Sequence, residues 1–312
     1  MPRFSTRPSQ VLLLALLSAG LALPVSANEP SDALEALVAE AEAGRAEAQW
    51  QLGTNYEVGN GVEADVTLAA EWYRKAAEQG NSKAQFSLGS CYENGMGVPL
   101  DYEEAAKWYR KAAKKGNADA MCALGLFYEN GRGVEASDVK AAEWYAKAAG
   151  QGHPNATAIL ASCYLNGQGV EQNGEKAARL FKKAAQLDQP EAQYMLGLVY
   201  ERGQYEKQDF SAAFRWYQMA ARAGIVEAQT RLAVLYLNGM GVSQNTDKGL
   251  RWLNLAAEAG DGEAYYQLGL LYAKGLFVGR DSDKAHEFFG LACETGFEKA
   301  CVKPKGHPEP DE

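Results

Sequence analysis

A single skeleton repeats every 36 residues along this chain. Leucine falls at Leu52, Leu88, Leu124, Leu160, Leu196, Leu232 and Leu268, and tyrosine at Tyr56, Tyr92, Tyr128, Tyr164, Tyr200, Tyr236 and Tyr272. Alanine keeps the same step from Ala48 to Ala264 and again from Ala76 to Ala292. A fixed period of about 20 to 50 residues is the mark of stacked supersecondary units, none of which can bury its apolar face alone. The period constrains architecture strongly and function weakly.

The second copy shows how each unit folds. From Ser82 to Tyr92, Ala84, Leu88, Gly89, Cys91 and Tyr92 recur at helical spacing and predict a first helix, A. Gly95 and Gly97 break it in a turn, and Asp101 stands where the next helix needs an N-cap. Asp65, Ser137, Asn173, Asp209, Asn245 and Asp281 hold the same slot, and all are good caps. A second helix, B, follows to about Lys115, with Ala105, Trp108, Tyr109, Ala112 and Ala113 on its packed face and Gly116 as its stop. Alanine at each contact lets helix axes approach to roughly 8 Å. The expected fold is all-α: a right-handed α/α solenoid superhelix of seven 36-residue pairs, at 46–81, 82–117, 118–153, 154–189, 190–225, 226–261 and 262–297. Residues 28–45 contain Ala33, Leu37, Ala41 and Gly44 in register with a helix B, so they are read as a half-repeat cap, and Ala300 begins an eighth copy.

The run A-x-x-x-L-G-x-x-Y-x-x-G-x-G-V, followed by A-x-x-W-Y-x-x-A-A-x-x-G, resembles the Sel-one-like repeat (SLR) family over residues 46–301. The resemblance implies an interaction scaffold related to tetratricopeptide arrays, and it supplies no catalytic residue. It also implies a disulfide between Cys293 and Cys301, the junction that exported cysteine-rich members staple. Cys91, Cys122 and Cys163 read as small buried thiols.

The ends belong to other tasks. Arg3 and Arg7, the apolar stretch Val11 to Leu23 and the small residues Val25-Ser26-Ala27 read as a signal peptide over 1–27, cleaved near Ala27. The product is expected in the periplasm or outside the cell, without stable membrane insertion. Loss of those two arginines takes the net charge from −9 to −11, which argues against nucleic acid and favours a basic partner. The Pro- and charge-rich stretch 302–312 reads as a disordered tail.

Some copies depart from the skeleton. The fourth has Leu180, Phe181 and Asp188 where Trp, Tyr and Gly recur, and the fifth has Tyr205 and Glu206 where Gly and Val recur. The seventh has Phe277 and Phe288. Drift in a tolerant loop accounts for Tyr205; the other reading is a residue presented for contact. His153, His286 and His307 are too dispersed for a metal cluster or a triad. Ser137-Asp138-Val139-Lys140 fits the S-x-x-K of penicillin-binding enzymes, but neither S-D-N nor K-T-G accompanies it and Ser137 sits in the cap slot. No cofactor, metal or catalytic residue is assigned.

What the stack does not need is left for recognition. Each residue of a helix turns 100°, so one side of helix A carries residues not used by the motif. By resemblance to tetratricopeptide arrays this side lines a concave groove. One row begins Trp50, Phe86 and Cys122 and continues to Tyr194 and Tyr266; a second includes Leu126 and Leu198; a third includes Glu57, Glu93, Glu129 and Glu201. Trp50, Phe86, Tyr194 and Tyr266 are either hot-spot rings or packing between adjacent A helices. The glutamates read as solvated charge with no orienting group. The first expectation is therefore a non-enzymatic exported scaffold binding a protein or peptide in the groove and regulating or assembling an envelope process. Neutralisation of a secreted toxin is the second, and a β-lactam or cell-wall hydrolase the third.

Overall fold

Caps and glycines set the helix boundaries. The computed structural model describes residues 32–301, which form sixteen helices and no strand. The A helices are α2 (Ala46–Val58), α4 (Ser82–Asn94), α6 (Ala118–Asn130), α8 (Pro154–Asn166), α10 (Pro190–Arg202), α12 (Val226–Asn238) and α14 (Gly262–Lys274). The B helices are α3 (Val66–Glu78), α5 (Tyr102–Lys114), α7 (Asp138–Gly150), α9 (Gly174–Gln186), α11 (Phe210–Arg222), α13 (Thr246–Glu258) and α15 (Ser282–Glu294). Helix α4 runs two residues past Tyr92, because its stop is Gly95 in the left-handed conformation. Asp101 opens α5 by accepting from the N–H groups of Glu103 and Glu104 at 3.0 Å each.

Each pair is held by close contact between α4-type and α5-type helices. A Cβ on Gly89 would lie 2.6 Å from the Tyr109 ring, so glycine is what lets that ring rest on the backbone of α4. Tyr109 is 1% exposed, and Tyr73, Tyr145 and Tyr217 hold the same buried position. Between pairs, Gln49 and Gln85 donate to the carbonyls of Ala41 and Ala77 at 3.0 Å, closing the C-terminal turn of the preceding helix.

The ends of the solenoid are fitted differently. Helix α1 (Asp32–Glu42) has no A-type partner among the described residues and packs Leu34 and Ala41 against Ala48 and Leu52, as a half-repeat cap does. At the other end α16 (Glu298–Cys301) is the one-turn start of an eighth copy, tied back by a disulfide from Cys301 to Cys293 with Cα atoms 4.9 Å apart. Residues 1–27, read as a leader, and 302–312, read as a tail, lie outside the described residues.

The irregular loops keep the common path. Tyr205 and Phe277 adopt φ of 71° and 66°, the left-handed values of the glycines they replace, and Asp188 does the same at 58°. Tyr205 is accommodated by a second change 31 positions earlier. A Cβ on Gly174 would meet the end of the Tyr205 ring at 2.0 Å, so the missing side chain at the start of α9 makes room for the phenol. Loop drift alone does not describe this position: the two departures are matched.

Candidate partner-binding face

The glutamates of the A helices are not free charges. Tyr109 donates its hydroxyl to Glu93 at 2.6 Å and Tyr145 to Glu129 at 2.5 Å, each across 16 residues. Tyr73 pairs with Glu57 and Tyr217 with Glu201 in the same way. The expectation that these carboxylates lack an orienting group is therefore corrected. A buried phenol needs an acceptor, and the last turn of helix A places one above it. Burial first, and the neighbouring carboxylate second, push Tyr109, Tyr145 and Tyr217 well above the ordinary tyrosine value. Where the A helix lacks the acid, the B helix lacks the hydroxyl: Leu165 goes with Phe181, Leu237 with Leu253, and Ala273 with Phe289. That sixteen-residue concordance is the signal by which the sequence could have revealed the pairs.

The aromatic row is half-buried and partly committed. The Trp50 indole N–H donates to Ser87 Oγ at 3.3 Å, and the Lys83 ammonium lies 4.5 Å from its ring centroid, so Trp50 bridges adjacent A helices. Phe86 lies against Tyr109 with centroids 5.5 Å apart, Tyr194 against Tyr217 at 5.9 Å, and Tyr266 against Phe289 at 5.7 Å and Phe297 at 5.3 Å. Each ring thus rests on the core with part of its surface still open. Leu126 is half-buried beside the core, whereas Leu198 is only 6% exposed and lines a cavity of about 60 Å³ with Leu165, Phe181, Met195 and Tyr205. Leu198 thus has little surface to offer a partner.

One cation gathers the C-terminal part of this face. Arg231, in α12, reaches Glu201 in α10 at 3.8 Å and Glu263 in α14 at 3.1 Å, linking three successive pairs. Burial works against its charge, but Glu263 and Glu201 outweigh burial and hold Arg231 above its ordinary value. Burial raises Glu263 and pushes Tyr194 up to about 12. Sequence rows did not reveal Arg231, because none of the other six copies has a charge at its position.

Residues that resembled chemistry have structural duties. Ser137 accepts from the N–H of Lys140 at 3.3 Å as the cap of α7. His153 caps α8 through Nδ1, accepting from Ala156 N–H at 3.1 Å, while Nε2 lies 3.2 Å from Asp119. Cys91, Cys122 and Cys163 are free, buried and pushed up to about 12 by burial, which keeps them as unreactive thiols. Among the described residues, no group of three or more His, Cys, Asp or Glu is arranged to hold a metal.

The Sel1 repeat profile matches residues 46–81, 82–117, 118–153, 154–189, 190–225, 226–261 and 262–297. The chain belongs to the Sel1 repeat family. Sel1 repeat proteins are generally protein-interaction scaffolds, and no described helix is long and apolar enough to cross a membrane. Two solved Sel1 repeat structures are similar. One is c5321, a protective antigen of uropathogenic Escherichia coli with an SLR fold, at 34% identity and TM-score 0.76 over 85% of this chain. This chain spans 57% of the length of that protein. The other is a Sel1 repeat protein from Oxalobacter formigenes, at 35% identity and TM-score 0.64, covering 86% of this chain and 77% of that one. No curated protein matches in sequence.

Proposed function

We propose that this Sel1 repeat protein is an exported, non-enzymatic scaffold that binds a protein or peptide along its A-helix face. Its work would be to regulate or assemble an envelope process. One observation carries the reading: the partly open rings of Phe86, Tyr194 and Tyr266 stand beside carboxylates that buried tyrosine hydroxyls already hold in place. Rings anchored on one side are the usual makings of a hot spot. Carboxylates fixed in advance lose little freedom on binding, which favours affinity. Glu57 and Glu129 make no ion pair within the described residues, so a basic side chain of a partner suits them. Export rests on the leader-like sequence before Asn28.

The test is a photoreactive phenylalanine analogue placed in living cells at Phe86, Leu126 or Tyr194, and for comparison at exposed Lys107 on α5. Adducts to one defined protein from the first three positions and none from Lys107 are expected. Adducts only from Lys107, or none anywhere, would overturn the assignment. Export is checked on the same material by the N-terminal residue of the isolated protein, expected to be Asn28; an intact leader would refute it.

A further inference from the structure

The B helices carry a repeating row of their own, and it changes character half-way along the solenoid. In the first three pairs a lysine covers a tryptophan three residues earlier. Lys75 lies 3.8 Å from the Trp72 ring centroid, Lys111 3.5 Å from Trp108, and Lys147 3.9 Å from Trp144. In the fourth, Lys183 turns away and donates to the Ala149 carbonyl at 3.0 Å. In the fifth and sixth the lysine slot is taken by Met219 and Leu255, which are 41% and 44% exposed above half-buried Trp216 and Trp252.

A second change accompanies the first. One helical turn before the lysine slot, the early copies carry Glu71, Lys107 and Glu143, whereas the fourth to sixth carry Arg179, Arg215 and Arg251. Arg222 follows Met219 by three residues, on the same side of α11, and α11 contains no acidic residue at all. Arg179, Arg215, Arg222 and Arg251 are exposed, and none forms an ion pair within the described residues. Unpaired arginines around exposed methionine and leucine are out of place in a chain of net charge −9.

The kind of change identifies the kind of partner. An anionic bilayer would favour arginine in place of Glu71 and Glu143, but it gives no reason to lose the lysine that the early copies carry at the Met219 and Leu255 slot. Protein interfaces are enriched in arginine, methionine and tryptophan and depleted in lysine, which is the direction of change here. Arginine also offers a planar fork that fits a carboxylate through two hydrogen bonds, as lysine cannot. We propose that the exposed face of α11, flanked by Arg179 and Arg251, docks an acidic protein segment whose apolar side chains cover Met219 and Leu255. This surface is separate from the A-helix face, and its existence does not depend on the reading given to that face.

The probe is a fluorescein-labelled 16-residue peptide of aspartate and glutamate with leucine or phenylalanine at every third or fourth position. Its binding to the purified protein is followed by anisotropy. The peptide should bind the wild-type protein, and raising salt from about 0.05 to 0.5 M should weaken binding at least tenfold. The substitutions Met219→Glu and Arg222→Glu together should also weaken it at least tenfold, while Trp50→Ala on the A-helix face leaves it within about twofold. Circular dichroism verifies that the double variant is folded. Should it not be, Arg215→Ser with Arg222→Ser replaces it and is expected to act in the same direction. Vesicles of phosphatidylglycerol and phosphatidylcholine should not sediment the protein. Absence of peptide binding, binding unaffected by the α11 variants, loss only with Trp50→Ala, or vesicle binding that the α11 variants abolish would each overturn the proposal.

Discussion

The hydroxyl of Tyr109 donates to the Glu93 carboxylate across 2.6 Å, tying the middle of α5 to the last turn of α4. The bond serves both residues. Tyr109 is buried with a hydroxyl that needs an acceptor, and half-buried Glu93 gains a fixed orientation. If the A-helix face binds a partner as proposed, architecture and recognition are coupled in this repeat: the carboxylate row is set by the same contacts that hold each pair together.

The coupling predicts a specific double-mutant result. Glu129→Leu alone leaves the Tyr145 hydroxyl without its acceptor and should cost about 1–3 kcal/mol. Adding Tyr145→Phe should recover the loss to within about 1 kcal/mol, because Leu165 and Phe181 already occupy these positions in the fourth copy. Urea denaturation of the two variants and the parent measures this. A double variant no more stable than Glu129→Leu would refute the pairing.

Alkaline pH should unfold the protein through the same tyrosines. Burial, reinforced by the neighbouring glutamate, raises Tyr109, Tyr145 and Tyr217 above the ordinary value of 10.0. Their folded forms keep a proton that the unfolded chain releases. Stability is accordingly full below about pH 10 and falls as pH rises from there toward the folded-state values, by up to about 1.4 kcal/mol per pH unit for each tyrosine. Absorbance of tyrosinate at these positions should appear together with loss of helical signal. Ionisation of all tyrosines while the helices persist would contradict the prediction.

What the sequence made legible follows from how a solenoid is built. Each copy contains its own caps, stops and packing residues, so Asp101, Gly95 and Gly116 could be placed from one 36-residue unit. Relationships that cross the unit at other spacings were hidden. Glu93 read along its 36-residue row is a surface charge, and only comparison with Tyr109, 16 residues on, shows its partner. Gly174 and Tyr205 are 31 residues apart in neighbouring copies, so each looks like isolated drift until the ring is seen to fill the missing side chain's space. Arg231 is the charge of one copy alone, and periodicity carries no information about a residue that does not recur.

Glycines of this chain should differ sharply in their tolerance of a side chain. A Cβ on Gly97, at φ 68°, would stand 2.0 Å from the Val66 carbonyl oxygen. Backbone cannot swing aside, so Gly97→Ala must lift the loop from α3 and should cost about 3 kcal/mol or more. Gly152, at φ 83°, has nothing within 4 Å of the added atom. Gly152→Ala then bears only the backbone penalty of about 1–2 kcal/mol. For Gly174→Ala the obstacle is the far end of the exposed Tyr205 side chain, which can move, and the cost should be under about 1 kcal/mol. Denaturation midpoints should fall in that order, and Gly97→Ala as mild as Gly152→Ala would sink the argument.

The disulfide should protect one end and nothing else. Helix α16 has a single turn, with no following pair among the described residues, and is held by Cys301–Cys293 and by the adjoining Phe297 against Tyr266. Closing residues 293–301 in the unfolded chain is worth about 2.5 kcal/mol on the chain-entropy estimate. Contacts in a solenoid run between neighbours, so that contribution stays local. Cys301→Ser, or reduction, should speed tryptic cleavage after Lys299, with Lys75 and Lys111 in the early pairs cut no faster than before. Peptide mapping without reductant should recover 293 and 301 linked. Free thiols at both positions, or equal cleavage rates after Lys299 in the oxidised and reduced protein, would show that α16 is held without the bond.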